Sequence, residues 1–549
     1  MQVVIPMAGM GDRFRRAGYT DPKPLIKVGG KPLIEHIVNM FDLENDYFLF
    51  ICNSYHLGNT EMADVIQRVC PSGVIAKIEP HKLGPIETVL RAEEYIFDDE
   101  PIIVQYCDVA VYWDYVDFQK KVEEWRCDAC AVANRGFHPH MLGPENYAFM
   151  RDDGRQRLLE IREKAPFTDQ RMDEFASVGT HWFRNGAMVK KFFHKMIDND
   201  VRVKNEFYVS CVHNLLNAEG FVNMIYEVQH MLMWGTPFDV EIYREWSDYF
   251  RYVTTKNAPL NVIDAHILIP MAGRGARFAD YDAPKPLIEV NGKPMVVQAV
   301  DCLPAGKTLN FVCLGEHLDQ FPVEHTLKGK YGNVNVIRLD EATDGQACTC
   351  EVGIGRAGIP LEDSLLISSC DYMSLCSHAD LLGLTEGADV VVWGFKNNPA
   401  SRHNPEAYGW LDVDEEGRIG RVSVKKPISS VPYNDYAITG TFWFRRTSLF
   451  LEGLGILYER DIKTNNEFYI DNVIDVLARA GAKVRVLDVD KFICLGTPDD
   501  LKSYEYWQSF FHKYKLHDYD IHNDYTAGGG SAELNSRVHG FYNFEGNDI

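Results

Sequence analysis

Two segments of the chain place glycine, arginine and lysine in the same order, and these residue types suit the binding of phosphate groups. The first reads Gly-Met-Gly-Asp-Arg-Phe from residue 9 and continues to Pro-Lys-Pro-Leu at 22–25, and the second repeats the pattern from residue 273. Glycines let backbone N–H groups approach a phosphate, arginine forks onto phosphate oxygens, and prolines restrict the backbone around the lysine. Each segment therefore predicts a polyphosphate-binding loop. The residues assigned to these loops are Ala8, Gly9, Gly11, Arg13 and Lys23 in the first, and Ala272, Gly273, Gly275, Arg277 and Lys285 in the second.

Two other phosphate-binding loops do not fit these segments. A dinucleotide-binding loop has a third glycine where this chain has Phe14 and Phe278. A P-loop needs Gly-Lys followed by Ser or Thr, and neither segment continues in that way. The remaining alternative, a tight turn that carries a surface arginine and lysine, does not explain why the whole pattern occurs twice.

Further motifs also occur twice, in the same order. These are Cys-Asp, Gly-Thr, Asn-Glu-Phe-Tyr and Gly-Thr-Pro, and each second occurrence follows the first at a nearly constant separation. Such a long period excludes a solenoid and indicates a tandem duplication. We predict a first domain at 1–245, a linker at 246–263, a second domain at 264–515, and a tail at 516–549 that is flexible or docked.

Short apolar runs that alternate with amphipathic segments indicate the elements that position these motifs. The runs at 3–7, 47–53, 101–107 and 128–135 favour strands, and the segment at 33–41 favours a helix. Similar runs follow in the second copy. The pattern predicts an α/β fold, with a mostly parallel mixed sheet covered by helices on both faces in each copy. Ligands of such sheets bind at the carboxyl ends of the strands, where the two loops lie.

Composition excludes several classes of protein. The chain has 549 residues, with 56 Lys and Arg against 79 Asp and Glu and a formal charge of −23, which disfavours nucleic-acid binding. No apolar stretch is long enough to insert into a membrane, and the amino terminus lacks the basic segment of a signal peptide. The 13 cysteines suit reduced thiols in the cytoplasm. Cys127 and Cys130 lack a second matching pair, which favours buried thiols over a zinc site.

On these motifs, each half of the chain resembles the sugar nucleotidyltransferases, which make nucleotide sugars from a nucleoside triphosphate and a sugar 1-phosphate. The likeness covers both copies nearly end to end and is strongest to bacterial proteins often linked to surface-polysaccharide synthesis. It implies two tandem Rossmann-like nucleotidyltransferase domains with Mg²⁺ or Mn²⁺ as the cofactor. In the family's reaction a sugar-phosphate oxygen attacks the α-phosphorus and pyrophosphate leaves. That oxygen is already ionised near neutral pH, so positioning and charge neutralisation suffice.

The resemblance also implies roles for residues at the motif positions. The loop residues would bind the triphosphate, with Lys23 and Lys285 at the reacting phosphates. Asp108 and Asp371 follow apolar runs and would bind Mg²⁺, which prefers carboxylate and phosphate oxygens. The residues assigned to the acceptor are Lys164 and Lys426 for its phosphate, and Gly179, Thr180, Glu206, Gly440, Thr441 and Glu467 for the sugar. The alternatives are a strand-end turn or cap for the aspartates, an exposed hairpin for the lysines, and a helix cap or buried pair for the glutamates.

The chain departs from the family's pattern at the second metal ligand. Many relatives have an aspartate two residues before the glycine of Gly-Thr-Pro, where this chain has Met233 and Cys494. Asp239 and Asp499 lie nearby but could simply cap the next helix. The second carboxylate is therefore missing or comes from elsewhere.

A second departure concerns the residue before the loop arginine, which is often Thr or Ser in relatives. Here it is Asp12 in the first copy and Ala276 in the second. A carboxylate at this place would repel a triphosphate by roughly 3 kcal/mol unless it pairs with a cation or points away. The first copy would then depend more steeply on Mg²⁺.

The base of the nucleotide is read, in the family, around a Leu-Gly-Thr-like segment and about five residues before its glycine. The corresponding residues are Glu79 with Gly84, and Asp340 with Gly345. A carboxylate only accepts hydrogen bonds, so it would suit the donors of cytosine or guanine. We therefore expect CTP or GTP.

Three functions remain open at this point. The first is a nucleotidyltransferase that acts on a sugar 1-phosphate in both halves and supplies a surface polysaccharide. The second keeps the chemistry but uses another phosphorylated small molecule, for example CTP with a phospho-alcohol. The third makes one half a nucleotide-binding or structural module, which the retained Arg, Lys and Asp of both copies disfavour. A homo-oligomer is compatible with all three.

Overall fold

The computed structural model describes residues 1–144, 146–255, 262–529 and 532–539. The chain divides into two compact units. Unit 1 comprises Met1–Ser247, Ser509–Asp518 and Arg537–Ile549, and unit 2 comprises Asp248–Gln508 and Tyr519–Ser536. Within the predicted linker, 256–261 lies outside the described residues, as do 530–531 and 540–549 of the predicted tail. The domain boundaries drawn from the sequence stay a prediction.

Unit 1 contains a nine-stranded mixed sheet among its described residues. Its first strand pairs in parallel with two neighbours, so three strand ends open on the same edge. A long antiparallel strand then connects this parallel part to the rest of the sheet. The strand order is Leu158–Glu163, Ala148–Asp152, Phe175–Phe183, Ile102–Gln105, Gln2–Met7, Tyr47–Asn53 and Val74–Ile78, with Ala129–Asn134 beside Phe175–Phe183 and Asn223–Glu227 beside Ala129–Asn134.

Helices and two small ladders complete unit 1. The helices are Asp12–Arg16, Leu33–Val38, Ser54–Asn59, Met62–Val69, Pro85–Leu90, Tyr115–Trp125, Gly186–Asp198, Val212–Ala218 and the start of Pro237–Thr255. The ladders are Lys27–Val28 with Lys31–Pro32, and Val109–Tyr112 with His230–Met233. The first strand is buried along its length because helices cover the sheet on both faces.

Unit 2 has the same architecture, and its described residues again form a main sheet of nine strands. The strand order is Asn335–Leu339, Thr308–Leu314, His266–Met271, Leu365–Ile367, Tyr436–Phe444, Val390–Phe395 and Val484–Asp488, with Gly409–Val413 beside Tyr436–Phe444 and Ile419–Val424 beside Gly409–Val413. Along His266–Met271, Leu268 packs in one buried cluster and Ile267 and Ile269 pack in another. Alternate side chains thus enter a core on each face, as expected for a sheet covered on both sides.

The helices of the second half follow the same pattern of crossovers. They are Met295–Val300, Gly315–Gln320, Val323–Tyr331, Gln346–Ala357, His378–Gly387, Pro399–His403, Thr447–Arg460, Ile470–Arg479, Pro498–Lys513 and Ala532–His539. Small ladders join Glu289–Val290 to Lys293–Pro294, and Tyr372–Leu375 to Lys491–Cys494. The predicted α/β class, with a mixed sheet and helices on both faces, is confirmed in both units. Along the described part of the chain, no helix combines the length and apolarity needed to cross a membrane.

The cysteines are all free thiols. Cys130 is buried within the strand Ala129–Asn134 and Cys127 is buried just before it, and burial raises the pKa of Cys127 to about 12. Buried thiols of this kind stay protonated and pack as small apolar side chains.

Two buried histidines connect the unit 1 sheet to the helix Val212–Ala218. His213 Nδ1 lies 2.8 Å from Asn223 Oδ1, and His213 Nε2 lies 3.0 Å from His181 Nδ1. Because the Asn223 amide nitrogen donates to the His213 carbonyl, Asn223 Oδ1 is the acceptor and His213 Nδ1 carries the proton. His213 Nε2 then accepts from His181 Nδ1, so this relay requires a neutral His213 ring. Burial lowers the pKa of His213 to about 4.

We expect this relay to destabilise the protein as the pH falls. The unfolded histidine binds a proton near pH 6.5 and the folded one only near pH 4, so stability is full above pH 6.5 and declines below it. Each such histidine contributes a slope of at most about 1.4 kcal/mol per pH unit. His213→Gln keeps one donor and one acceptor. It should reduce the slope of the unfolding free energy, measured with urea, against pH by up to about 1.4 kcal/mol per pH unit, which corresponds to one proton.

The matched control is His194→Gln, since His194 is exposed and pairs only with Glu93 across 2.8 Å. That variant should leave the slope between pH 4.5 and 6.5 unchanged. An unchanged slope in His213→Gln would contradict the neutral relay.

Candidate functional site

A cleft of about 500 Å³ opens in unit 1 where the strands Gln2–Met7 and Ile102–Gln105 end. Its walls come from the loop after the first strand, the start of the helix Pro85–Leu90 and the turn after Leu158–Glu163. The predicted residues that line it are Ala8, Gly9, Gly11, Arg13, Lys23, Gly84, Asp108, Lys164 and Glu206. The topology thus brings together side chains that are distant in sequence, at the strand edge where ligands bind in such sheets.

The phosphate loop of unit 1, residues 8–13, ends in a short helix that starts at Asp12. Gly11 precedes this helix with φ 64°, a left-handed conformation that glycine adopts without strain. Asp12 accepts from Lys82 and from Arg15, each across 2.8 Å. The Lys82 ammonium is the main cause that lowers the pKa of Asp12. Its charge is therefore matched by two cations, which offsets the repulsion of a triphosphate that the sequence predicted.

Lys23 and Asp108 form an ion pair at the floor of the cleft. Lys23 Nζ donates to Asp108 Oδ2 across 2.6 Å, and the two side chains are 24% and 20% exposed. Burial alone would lower the pKa of Lys23, but the charge of the Asp108 carboxylate outweighs it and raises that pKa. Lys23 therefore stays protonated and remains available to an anionic ligand.

Lys164 projects from the turn that follows Leu158–Glu163. Its φ is 56°, and its backbone N–H donates to the Tyr147 carbonyl across 2.7 Å. Its Nζ donates to the Tyr208 hydroxyl across 2.6 Å. Burial lowers the pKa of Lys164, although the neighbouring carboxylates of Glu163 and Glu206 oppose this shift. Arg13 is close enough to lower the pKa values of Lys23 and Lys164, so the three cations share one field.

The Asn-Glu-Phe-Tyr motif forms a tight turn at the rim of the cleft. Lys204 and Asn205 have φ 49° and 68°, and Val203 and Glu206 exchange backbone hydrogen bonds of 3.0 and 3.1 Å around them. Positive φ at both central residues defines a type I′ turn, which favours asparagine. The turn directs Glu206 into the cleft lining and places Tyr208 against Lys164.

Phe207 attaches this turn to the helix Pro85–Leu90. Its N–H donates to the Leu83 carbonyl across 2.9 Å, and its carbonyl accepts from Ile86 N–H across 3.3 Å. Gly84 lies between these bonds with φ 93°, and a Cβ there would lie 2.8 Å from both Phe207 N and Phe207 O. Only glycine fits this close approach of two backbones.

Gly84→Ala is expected to cost roughly 2–4 kcal/mol of unfolding free energy, because it combines a strained φ with a backbone clash. Urea unfolding of the purified variant measures this loss. Gly58→Ala is the matched control, since Gly58 lies in the helix Ser54–Asn59 with open space around it. Equal stability of the two variants would contradict the close packing at Gly84.

Unit 2 repeats these contacts. Gly275 has φ 62° before the short helix Ala276–Phe278. Lys285 Nζ donates to Oδ2 of Asp371, and the Ser369 hydroxyl donates to Oδ1 of the same carboxylate. Gly345 has φ 123°, and a Cβ there would lie 2.7 Å from Phe468 N and O. The predicted residues with such equivalents in this unit are Ala272, Gly273, Gly275, Arg277, Lys285, Gly345, Asp371 and Glu467.

Lys426 is not the equivalent of Lys164; the predicted register is wrong by one residue. Lys425 has φ 58°, and its N–H donates to the Tyr408 carbonyl across 3.1 Å, as Lys164 does to Tyr147. Burial lowers the pKa of Lys425, and Arg277 contributes to that shift. Lys426 is exposed. Two adjacent lysines precede Pro427, so the motif alone does not show which of them aligns with Lys164. The positive φ that Lys425 shares with Lys164 identifies the equivalent residue.

Other predicted residues lie away from the cleft lining. Glu79 is exposed and accepts from Ser54 across 3.2 Å, and Asp340 is paired with Arg338 across 2.9 Å, so the structure does not support either as a reader of the base. Thr180 is buried and donates to Gln105, and Thr441 is buried against Ser368. Gly179 packs against the Tyr106 ring and Gly440 packs against the Tyr372 ring.

The cleft also contains residues that the sequence analysis did not single out. Glu163, Tyr208, His81 and Lys82 line it. Tyr208 is the last residue of a repeated motif and Glu163 directly precedes Lys164, so both carried a detectable signal. His81 and Lys82 occur in the first copy alone and carried none.

The carboxylates after Gly-Thr-Pro cap the following helix. Asp239 Oδ2 accepts from Thr236 N and Oγ1, each across 2.7 Å, and Asp500 pairs with Thr497 in the same way. This reciprocal cap resembles a capping box. By this contact Asp500, rather than Asp499, is the residue of the second copy that is equivalent to Asp239. Burial would raise the pKa of Asp239, but a hydrogen bond with His140 contributes to lowering it.

The chemistry of the unit 1 cleft fits a magnesium ion. A Cβ on Gly235 would lie 3.4 Å from Asp108 Oδ2 and 3.8 Å from Asp239 Oδ2, so both carboxylates flank this glycine. Mg²⁺ is usually bound by one or two carboxylates together with substrate phosphates. In unit 2, Gly496 is flanked instead by Asp371 Oδ2 and the Cys494 thiol. Among the described residues no cluster of three or more His, Cys, Asp or Glu is placed to hold a metal ion.

Comparison with known proteins identifies the class to which this cleft belongs. Residues 2–248 match the family model of nucleotidyl transferases. The glucose-1-phosphate cytidylyltransferase of Salmonella typhimurium is 26% identical over 144 residues, which are 22% of this chain and 56% of that protein. The bifunctional protein GlmU of Buchnera aphidicola is 22% identical over 221 residues, 40% of this chain and 44% of that protein.

A solved nucleoside-diphosphate-sugar pyrophosphorylase from Vibrio cholerae has 22% identity to this chain, with a TM-score of 0.37 over 44% of this chain and 99% of that one. The chain spans about half the length of the curated relatives it matches. The family-model match confirms the resemblance predicted from the motifs for the first copy, and membership of the second copy stays a prediction.

Proposed function

We propose that the chain transfers a nucleotidyl group from a nucleoside triphosphate to a phosphorylated small molecule, with a sugar 1-phosphate as acceptor in unit 1. The observation that carries this proposal is the cleft itself, which gathers Arg13, Lys23 and Lys164 around a glycine-rich loop with Asp108 at its floor. Five lysines and arginines line this cleft beside five carboxylates, and such a local concentration of cations in a chain with net charge −23 suits phosphorylated substrates that bind with a metal ion. The recurrence of these contacts in unit 2 supports a second active site.

In this reaction an acceptor phosphate oxygen forms a bond to the α-phosphorus, while the bond from that phosphorus to the bridging oxygen breaks and pyrophosphate leaves. The N–H groups of the phosphate loop and Arg13 bind the triphosphate. Lys23 neutralises charge at the reacting phosphates, and Lys164 holds the acceptor phosphate. Charge stabilisation of this kind is the main contribution of proteins to phosphoryl-type transfer.

Asp108, with Asp239 beside it, would hold a Mg²⁺ or Mn²⁺ ion. When bound, the ion supplies positive charge that neutralises the leaving pyrophosphate. The hydrogen bond from Lys23 defines the position of the Asp108 carboxylate.

The proposal includes a cytoplasmic reaction that supplies precursors for a surface polysaccharide. Nucleoside triphosphates are made in the cytoplasm, and the free thiols of the chain are compatible with a reducing compartment. The surface-polysaccharide role is supported by the likeness of the repeated motifs to bacterial proteins of that kind.

The test is pyrophosphate release by the full chain across a matrix of nucleoside triphosphates and acceptors. CTP, GTP, UTP, dTTP and ATP are each combined with sugar 1-phosphates and phospho-alcohols, with Mg²⁺ or EDTA. We expect metal-dependent release with at least one sugar 1-phosphate. Absence of release with every pair would refute the proposed function.

A further inference from the structure

The strand pair that leads to the acceptor lysine differs between the two units. In unit 1, Ala148 is paired directly opposite Glu163, and in unit 2 Gly409 is paired opposite Val424. Directly opposed residues of antiparallel strands place their side chains on the same face. Each pair immediately precedes the left-handed lysine, so these positions are equivalent by register as well as by sequence.

A third position changes together with this pair. In unit 1, Ser210 Oγ donates to Glu163 Oε2 across 2.6 Å. Asp471 stands two residues after Tyr469 in unit 2, as Ser210 does after Tyr208. A Cβ on residue 409 would lie 2.2 Å from Asp471 Oδ2. The missing side chain at Gly409 therefore creates the space that the Asp471 carboxylate occupies.

The three differences retain a negative charge near the lysine but change which element supplies it. Glu163 reaches into the cleft of unit 1 from a strand, whereas Asp471 projects from the first turn of the helix Ile470–Arg479. A helix N-terminus favours an acidic side chain. Asp471 acts electrostatically on Lys425, as Glu163 does on Lys164. At the strand position itself, unit 2 has the apolar side chain of Val424, which is partly buried and packs in part against the core of this unit.

We propose that unit 2 takes a different phosphorylated acceptor from unit 1, a phospho-alcohol that presents an apolar group to Val424, while Asp471 positions Lys425 for its phosphate. This inference rests on the proposed function, because it assigns the acceptor of the second site. A carboxylate at the strand position accepts hydrogen bonds from acceptor hydroxyls, and valine cannot. A hydroxyl directed at Val424 would lose its hydrogen bonds with water and gain none.

The test measures each unit separately in the full chain. Asp108→Asn inactivates unit 1, so the remaining pyrophosphate release measures unit 2. Asp371→Asn inactivates unit 2, so the remaining release measures unit 1. The acceptors are glucose 1-phosphate, its analogues that each lack one hydroxyl, and propyl phosphate. In unit 1, kcat/KM should fall about 10- to 100-fold when one particular hydroxyl is removed. In unit 2, removal of hydroxyls should cause no loss, and propyl phosphate should be accepted.

The exchange variant Gly409→Ala, Val424→Glu, Asp471→Ser is made in the Asp108→Asn background. In this variant the kcat/KM of unit 2 should fall when one hydroxyl of the acceptor is removed, as it does in unit 1. The KM for the nucleotide should not change. Identical ranking of acceptors by both units, or an active exchange variant with unaltered ranking, would overturn the inference and leave the proposed function standing. If no acceptor gives pyrophosphate in either background or in the unaltered chain, the proposed function fails and this inference fails with it.

A milder variant covers the case in which the exchange variant does not fold. Asp471→Asn keeps the shape of the side chain and removes its charge, and should raise the KM for the acceptor about tenfold with an unchanged KM for the nucleotide. Asp471→Glu should recover part of this loss. The control is Asp461→Asn, whose carboxylate is 83% exposed at the end of a neighbouring helix. Equal KM values in Asp471→Asn and the control would overturn the positioning role.

Discussion

Replacement of Lys23 and Lys285 together by alanine is expected to lower metal-dependent pyrophosphate release by about 10²–10³-fold. Lys23 Nζ lies 2.6 Å from Asp108 Oδ2 in the cleft, and Lys285 forms the same pair with Asp371. Loss of one partner leaves a largely buried carboxylate uncompensated and removes a cation from the reacting phosphates, at a cost of roughly 3–4 kcal/mol. Steady-state pyrophosphate release by the full chain measures the effect.

Lys27→Ala is the matched control, since Lys27 is an exposed lysine just beyond the same Pro-Lys-Pro-Leu motif. Its rate should equal that of the unaltered chain. Thermal unfolding of the double variant separates lost catalysis from lost folding, and Lys23→Arg, Lys285→Arg tests whether charge alone suffices. Turnover of a folded double variant at the original rate would refute the assignment of these lysines.

The second large effect concerns the two aspartates, each changed alone. Asp108→Asn and Asp371→Asn remove one charge with little change in shape, and each is expected to lower the activity of its own unit by at least about 10²-fold. The other unit should continue, so each variant retains part of the total activity or one of two acceptor activities. The matrix of nucleotides and acceptors, run on both variants and on their combination, measures this division.

A different outcome would change the assignment of the units. If Asp371→Asn left every activity intact and Asp108→Asn removed all of it, unit 2 would be a non-catalytic module. Asp12 no longer predicts a steeper metal dependence for unit 1, because Lys82 and Arg15 already match its charge.

The residues of the phosphate loop show why part of the site could be predicted from sequence. Gly11 and Lys23 are close in the chain, and their conformations depend on local rules for glycine and proline. The strand before them is a continuous apolar run, which identifies a buried strand. Because the loop follows that strand directly, its place at the carboxyl edge of the sheet follows from the fold class.

Lys426 and Glu79 show where such reasoning fails. The choice between Lys425 and Lys426 depends on which residue adopts a left-handed turn and bonds to Tyr408 on the neighbouring strand. The exposure of Glu79 depends on how its strand end faces Ser54. Both are decided by contacts between segments far apart in sequence, and motif spacing does not report them.

The sequence by itself determined the duplicated motifs, the α/β class and the residue types that meet phosphate, because these depend on local conformation and on periodic burial. Only the tertiary structure decided which carboxylate stands beside each acceptor lysine. Glu163, which accepts from Ser210, belongs to a strand, whereas Asp471, which lies against Gly409, belongs to a helix. An alignment of the two copies does not reveal this exchange, because it depends on which side chains contact each other in the fold and not on their order along the chain.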